Sequence, residues 1–229
     1  MLNVKILTIF PDLFPGPLGV SVIGRALKKK LWTLNVQNIR DFATDKHKSV
    51  DDTPAGGGAG MIFRADVLGK AIEAAQKKFT TPAKIIYMSP RGKLLTQKVA
   101  KKILSDKNII LICGRFEGID QRILEHYKIE ELSIGNYILS GGETAAFAVV
   151  DACVRLIPGV LGKDSSVEEE SFGLNTEYEN LLEYDQYTRP SVWKKLGIPD
   201  VLLSGNHKEI KKWQLANAQA RTKKQRSDL

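Results

Sequence analysis

The stretch Ser133-Ile-Gly-Asn-Tyr-Ile-Leu-Ser-Gly-Gly-Glu-Thr-Ala145 is the one around which the chain is organised. It leaves a short strand pattern, Glu131 to Ile134, and runs through a loop carrying Gly135, Gly141 and Gly142. It then opens a helix, for which Ser140 followed by Glu143 is a capping-box pattern. From Ala145 the helix is apolar almost all round until Pro158-Gly159, so it must be covered by its own domain or by another chain. Glycines ahead of a helix start let a ligand approach the backbone closely and meet free N–H groups.

Strand and helix patterns alternate along the chain before this point. Asn3–Ile9 and Asn35–Ile39 read as strands, and Ser21 is placed to cap a helix reaching Leu31. Arg40 to Met61 carries no periodicity but includes Gly56-Gly57-Gly58-Ala59-Gly60; a loop that long inside a domain is usually functional. Asp66 is placed to cap an amphipathic helix. Lys84–Met88 is a strand entering a turn at Ser89-Pro90-Arg91-Gly92. Thr96 starts a helix with Lys98, Lys101 and Lys102 outward. Asn108–Cys113 is a continuous apolar run, as expected for the middle of a parallel sheet covered on both faces, and a helix from Ile119 to Tyr127 follows.

This alternation predicts an α/β domain with a mostly parallel sheet and helices on both faces. Three strand ends carry loops, Ser89–Gly92, Gly114–Gly118 and Gly135–Gly142. In open α/β sheets ligands sit beyond the carboxyl ends of the strands, so the three loops are expected to share one pocket.

Beyond Pro158 the chain becomes acidic and weakly periodic. The pattern places domain boundaries at 1–160, a flexible linker at 161–176 and a helical C-terminal domain at 177–229. In that last domain Thr188 to Gly197 reads as one helix. A second is capped by Asn206, with Ile210, Trp213, Ala216 and Ala220 on one face.

The net charge of +8 is unevenly spread. Residues 77–107 hold nine Lys/Arg against Asp106, and residues 200–229 hold seven against three acids, whereas 163–185 holds eight carboxylates against Lys163. Two basic segments favour a polyanionic partner, nucleic acid first. No run of about 18 apolar residues indicates a membrane span. The start reads as a strand rather than a signal peptide. Two cysteines, Cys113 and Cys153, argue against a disulfide framework and for a reducing, cytoplasmic setting. The three histidines lack metal-ligand spacing, so no metal site is expected from the residues.

Several ligand classes are excluded by motif. There is no G-x-x-x-x-G-K-[ST], G-x-S-x-G or H-E-x-x-H, and Gly56–Met61 fails G-x-G-x-x-G because Met stands sixth. Late-strand loops without a phosphate cradle suggest an adenosyl ligand lacking phosphates.

The ordered motifs Asp41-Phe42, Asp51-Asp52, Gly56–Gly60, Ser89-Pro90, Cys113-Gly-Arg-Phe-Glu-Gly-Ile-Asp120, Ser133–Glu143, Arg155–Gly162, Tyr187-Thr-Arg-Pro190 and Val201-Leu-Leu-Ser-Gly-Asn-His207 resemble the bacterial tRNA (guanine-N1)-methyltransferases of the SPOUT, or trefoil-knot, superfamily. The resemblance covers nearly the whole chain. It implies a deep knot, a homodimer with each active site shared between subunits, and S-adenosylmethionine in the three loops. On this sequence the cofactor positions are Ser89 and Pro90, then Gly114, Phe116, Glu117 and Gly118, then Ile134, Gly135, Asn136, Tyr137, Ile138 and Leu139, and finally Gly141 and Gly142. The implied substrate is tRNA, methylated at N1 of the guanosine immediately 3′ of the anticodon (position 37). The family is also associated with Mg²⁺. The apolar helix after Glu143 then serves either a core or a subunit interface.

The family's general base is the Asp of an S-x-x-x-D-S-F motif, which here reads Ser166-Val-Glu-Glu-Glu170-Ser171-Phe172. Glu170 is therefore the candidate base, with Glu169 as the alternative and Arg155 as the cation on the guanine side. Ala55 and Ala59 stand where the family usually has Tyr and Pro, and Phe116 where it more often has Tyr. Two rival readings are a knotted methyltransferase acting on a ribose hydroxyl, which would not need the Ser166–Phe172 carboxylate, and an RNA-binding module without chemistry.

Overall fold

A computed structural model of the chain describes residues 1–162 and 170–226. The part of the expected linker carrying Ser166 and Glu169 lies outside the described residues. The chain divides into two compact units, Met1–Leu161 and Gly162–Leu229.

The first unit is built on a five-stranded parallel sheet. Its strands are β1 (Leu2–Thr8), β2 (Trp32–Asn38), β5 (Lys84–Leu94), β6 (Asn108–Cys113) and β7 (Glu130–Ser133), in the order β2-β1-β6-β5-β7. The apolar run Asn108–Cys113 is the central strand and is buried at every position. Alternate residues feed two cores. Ile109, Leu111 and Cys113 join one with α1 (Ser21–Lys28), α3 (Gln97–Ser105) and α5 (Glu143–Val154), while Ile110 and Ile112 join the other with α2 (Ala65–Gln76) and α4 (Gln121–His126). Helices on both faces leave no wet side for the central strand, which is why its sequence does not alternate. Because β5 lies between β6 and β7, the three loops named above emerge side by side.

Local structure departs from the expectations where a tertiary partner outcompetes a local pattern. The expected turn at Ser89–Gly92 lies inside β5, an 11-residue strand whose register against β7 shifts so that Met88 and Lys93 both face Leu132. The four extra residues form a bulge, and a Cβ at Gly92 would lie 2.3 Å from the Glu131 carbonyl carbon and the Leu132 nitrogen. Ser21, Asp66 and Ser140 do not cap their helices: the N-cap positions are Val20, Arg64 and Gly142, none with a side-chain bond. The Asp66 carboxylate instead pairs with Arg64 at 2.8 Å, which holds it below the usual carboxylate range. β2 begins at Trp32, whose buried indole donates to the Ile23 carbonyl at 3.2 Å, ahead of the expected start at Asn35. The expected structureless loop contains β3 (Asp51–Asp52), paired antiparallel with β4 (Ile62–Phe63). α5 ends at Val154, and Thr144, Ala148 and Asp151 form an exposed stripe on it.

The second unit contains β8 (Val192–Trp193), β9 (Leu196–Gly197), α6 (Asp200–Leu203) and α7 (His207–Gln225). The helix expected from Thr188 to Gly197 is a hairpin, turned by Lys194 and Lys195 with φ of 48° and 68°. Asn206 caps α7 as expected, accepting from the Glu209 N–H at 3.4 Å. The buried face of α7 is rotated from the expected one, with Ala218 and Thr222 inside and Ala216 and Ala220 exposed. Polar anchoring sets that face. The Leu182 N–H donates to Thr222 Oγ1 at 2.8 Å, the Asp185 N–H to Asn217 Oδ1 at 2.8 Å, and Arg221 pairs with Asp185.

The bulge generates a stability prediction. Gly92→Ala forces a methyl into the β7 backbone and is expected to destabilise the protein by about 1–3 kcal/mol, the usual cost of overpacking. Denaturant unfolding followed by circular dichroism measures it; an unchanged midpoint would show that the bulge yields freely.

Candidate active site

Beyond the carboxyl ends of β5, β6 and β7 lies a cavity of about 230 Å³. Its walls are the three loops expected to meet. Every residue assigned above to cofactor binding lines it except Asn136, namely Ser89 and Pro90 from the bulge, Gly114, Phe116, Glu117 and Gly118 after β6, and Ile134, Gly135, Tyr137, Ile138, Leu139, Gly141 and Gly142 after β7. The exposed Asn136 is outside the lining.

The floor is held by a carboxylate that local pattern had assigned to capping. Glu143 is 2% exposed. It accepts from Thr8 Oγ1 at 2.6 Å and from Arg115 Nε at 3.0 Å, and pairs with Arg115 Nη2 at 2.9 Å. Arg115 also donates to the Ser140 carbonyl at 3.0 Å and lies over the Phe10 ring at 4.5 Å. One network thus joins the ends of β1 and β6, the loop after β7 and the first turn of α5, where negative charge also complements the helix dipole. Arg115 lines the cavity but was not singled out from sequence; its signal is an arginine in a glycine-rich strand-end loop, which only its partner makes specific.

Small residues let the loops cross. The Gly142 N–H donates to the Gly114 carbonyl at 2.8 Å, and a Cβ at Gly142 would lie 2.7 Å from the Gly114 nitrogen. Ser89, buried at 6% exposure, donates to Glu131 Oε1 at 2.8 Å, and Arg91 pairs with the same carboxylate at 3.0 Å, so the bulge is pinned to β7. The end of the Gly56–Gly60 loop reaches the site, since the Glu117 N–H donates to the Met61 carbonyl at 2.9 Å and Gly60 abuts the Glu117 side chain.

The lip is apolar. Phe116, Tyr137, Ile138 and Leu139 are all exposed, Ile138 at 80%. Among the described residues no hydrogen bond takes the backbone N–H groups of Tyr137 through Gly141. Apolar faces beside unengaged backbone donors suit a flat heteroaromatic ring such as adenine, whose edge needs hydrogen bonds and whose faces do not. The cavity's one arginine, Arg115, is committed to Glu143. Cys113 ends β6 at the cavity, but burial pushes its thiol well above the usual range, which excludes it as a ready nucleophile.

Arg155, the second candidate of the chemistry, forms the C-cap of α5 and is half-buried. Glu170 belongs to the second unit, where it is half-buried and its carbonyl accepts from the Gly173 N–H at 3.0 Å.

The family model described as tRNA (Guanine-1)-methyltransferase TrmD matches residues 2–229. The chain belongs to this family. A protein of Ehrlichia canis (strain Jake) named tRNA (guanine-N(1)-)-methyltransferase is 55% identical over 228 residues, covering 100% of this chain and 95% of its own length. Proteins of the same name from Anaplasma phagocytophilum (strain HZ) and Nitrobacter winogradskyi are each 53% identical over 98% of this chain, covering 94% and 91% of their own lengths. As a member of this methyltransferase family the chain is an enzyme, and S-adenosylmethionine is the methyl donor that the family implies. The cavity fits that group on its own terms, through the apolar lip and the unengaged backbone donors.

Removing the Glu143 carboxylate would strand Arg115. Glu143→Ala is expected to destabilise the protein by roughly 3 kcal/mol, as for other broken buried pairs, and Thr8→Val by about 2 kcal/mol through two lost hydrogen bonds, one to Glu143 and one from the Phe10 N–H. Thermal melts of the two variants check the ranking; equal effects would mean that Arg115 finds another partner.

Proposed function

We propose that this enzyme methylates N1 of the guanosine immediately 3′ of the anticodon in tRNA. The observation that carries the reading is the three-loop cavity with an apolar lip and free backbone donors, in a chain matched over residues 2–229 by the methyltransferase family. When bound, S-adenosylmethionine supplies an electrophilic methyl group. The loop residues Ile134 to Leu139 would hold its adenosyl part, with Ser89, Pro90 and Gly114 to Gly118 forming the facing walls.

The remaining chemistry falls to side chains. Guanine N1 carries a proton and its lone pair is delocalised, so it is a poor nucleophile until a base removes that proton. A carboxylate accepts hydrogen bonds from both N1–H and the neighbouring amino group. Glu170 takes the N1 proton in this reading, and Arg155 stabilises the negative charge that develops toward O6. The base must leave its stack to be reached, while lysines of the C-terminal domain hold phosphates. The shared active site of a homodimer and cytoplasmic action are part of the same proposal. No helix among the described residues is long and apolar enough to cross a membrane. No group of three or more His, Cys, Asp or Glu among them could hold a metal ion, and no step is assigned to Mg²⁺.

Transfer of labelled methyl from S-adenosylmethionine to unmodified tRNA, followed by nucleoside analysis, tests the activity. N1-methylguanosine is expected; a 2′-O-methylated product would support the ribose reading, and tRNA binding without turnover the binding-module reading. Glu170→Gln is expected to lower turnover by about 10²–10⁴-fold, the usual contribution of a general base, with cofactor affinity unchanged by calorimetry. If turnover survives, the base lies elsewhere, and Glu117 is the carboxylate already on the cavity wall.

A further inference from the structure

The hairpin β8–β9 shows an unusual surface. Residues 186–197 are all exposed, including Tyr187 at 46%, Val192 and Trp193 at 60% and Leu196 at 69%. Two-residue strands joined by a two-residue turn bury almost nothing of their own, and a lone hairpin is marginal in water. Here it is closed by the Ile198 N–H donating to the Ser191 carbonyl at 3.0 Å, and the neighbouring Tyr187 packs its ring 6.2 Å from that of Trp213 on α7. A tryptophan held out on such a tip loses the burial that would normally repay its exposed area.

The charge around that tip selects its occupant. From Gln186 to Pro199 the chain carries Arg189, Lys194 and Lys195 and no acid. None of the three cations is ion-paired among the described residues. The Lys194 ammonium lies 4.9 Å from the centre of the Trp193 ring, engaging the indole face and leaving the remaining aromatic surface open. The positive φ of Lys194 and Lys195 makes the turn tight, and both lysines directly follow Trp193 in the chain. An apolar partner would not need three unpaired cations, and a purely electrostatic one would not need the indole. An unpaired nucleobase with its flanking phosphates needs both.

We propose that the β8–β9 hairpin is an RNA-contact element, in which Trp193 stacks on an unpaired base of tRNA while Lys194, Lys195 and Arg189 neutralise the adjoining phosphates. The inference rests on the tRNA-methylating reading and adds to it a stacking platform outside the cofactor cavity. Stacking on a π-face tolerates any base, so the hairpin supplies affinity and registration rather than sequence choice. Its cations make that affinity fall with salt.

The test uses the full chain and unmodified tRNA. Trp193→Ala is expected to weaken tRNA binding about tenfold or more, the low side of a lost base–aromatic stack, with Trp193→Phe recovering most of it. The double variant Lys194→Ala/Lys195→Ala is expected to flatten the dependence of log affinity on log salt by about 1.4 for two single-strand phosphate contacts. S-adenosylmethionine affinity, measured in parallel, should be unchanged in all three. Titrating tRNA should also quench tryptophan emission in wild type far more than in Trp193→Phe. Wild-type tRNA affinity in Trp193→Ala would overturn the hairpin contact and leave the methyltransferase reading standing. A loss of affinity accompanied by dissociation of an oligomer would assign the tip to a second copy of the chain instead. Absence of tRNA binding by wild type would overturn both.

Discussion

Glu143 is a carboxylate almost wholly withdrawn from water at the start of a helix, and the cavity is assembled around satisfying it. A buried charge left alone costs several kcal/mol, so its partners must be fixed in place. Thr8 brings the end of β1, Arg115 the loop after β6, and the Ser140 carbonyl on Arg115 the loop after β7. None of these segments is near another in sequence. Pairing this one charge therefore ties the loops after β6 and β7 to the end of β1, while the bulge in β5 is held separately by Glu131.

The strand order explains why two carboxylates, Glu143 and Glu131, suffice. With β5 placed between β6 and β7, the three loops leave adjacent strand ends and need only short-range ties. Gly92 permits the bulge that brings Ser89 and Pro90 to the wall, and Gly142 permits the loop after β7 to lie directly on Gly114. At both places a side chain would meet backbone, which cannot yield by changing rotamer. The glycines are thus packing constraints as much as ligand contacts, and substitutions there would disturb the fold before they disturbed binding.

How much of this was legible in the sequence follows from which interactions are local. The central strand Asn108–Cys113 announces itself because burial on both faces removes alternation, and the three loops are marked by glycines at strand ends. A polar side chain does not cap where an ion pair or a buried hydrogen bond takes it. Asp66 follows this rule through Arg64, and Glu143 through Thr8 and Arg115, since the pattern Ser140–Glu143 describes only what the helix could use. The hairpin at Val192–Gly197 was hidden for a related reason. Its turn is made by two lysines at positive φ, a conformation that composition assigns to glycine or asparagine, so the surrounding Pro190 and Gly197 read as helix punctuation. The face of α7 differs from the apolar pattern because Thr222 is buried and Asn217 half-buried for their hydrogen bonds, not for hydrophobicity.

The same contrast bears on the chemistry. The cofactor cavity rests on backbone, glycines and a buried ion pair, and such parts tolerate little variation in side-chain length. The candidate base belongs to another unit and stands one methylene further out than the carboxylate of the motif it resembles. In a rigid site a displacement of about 1 Å can cost ~10²-fold in rate. As the proposed base, Glu170 is subject to none of the backbone contacts that rule out a side chain at Gly92 and Gly142.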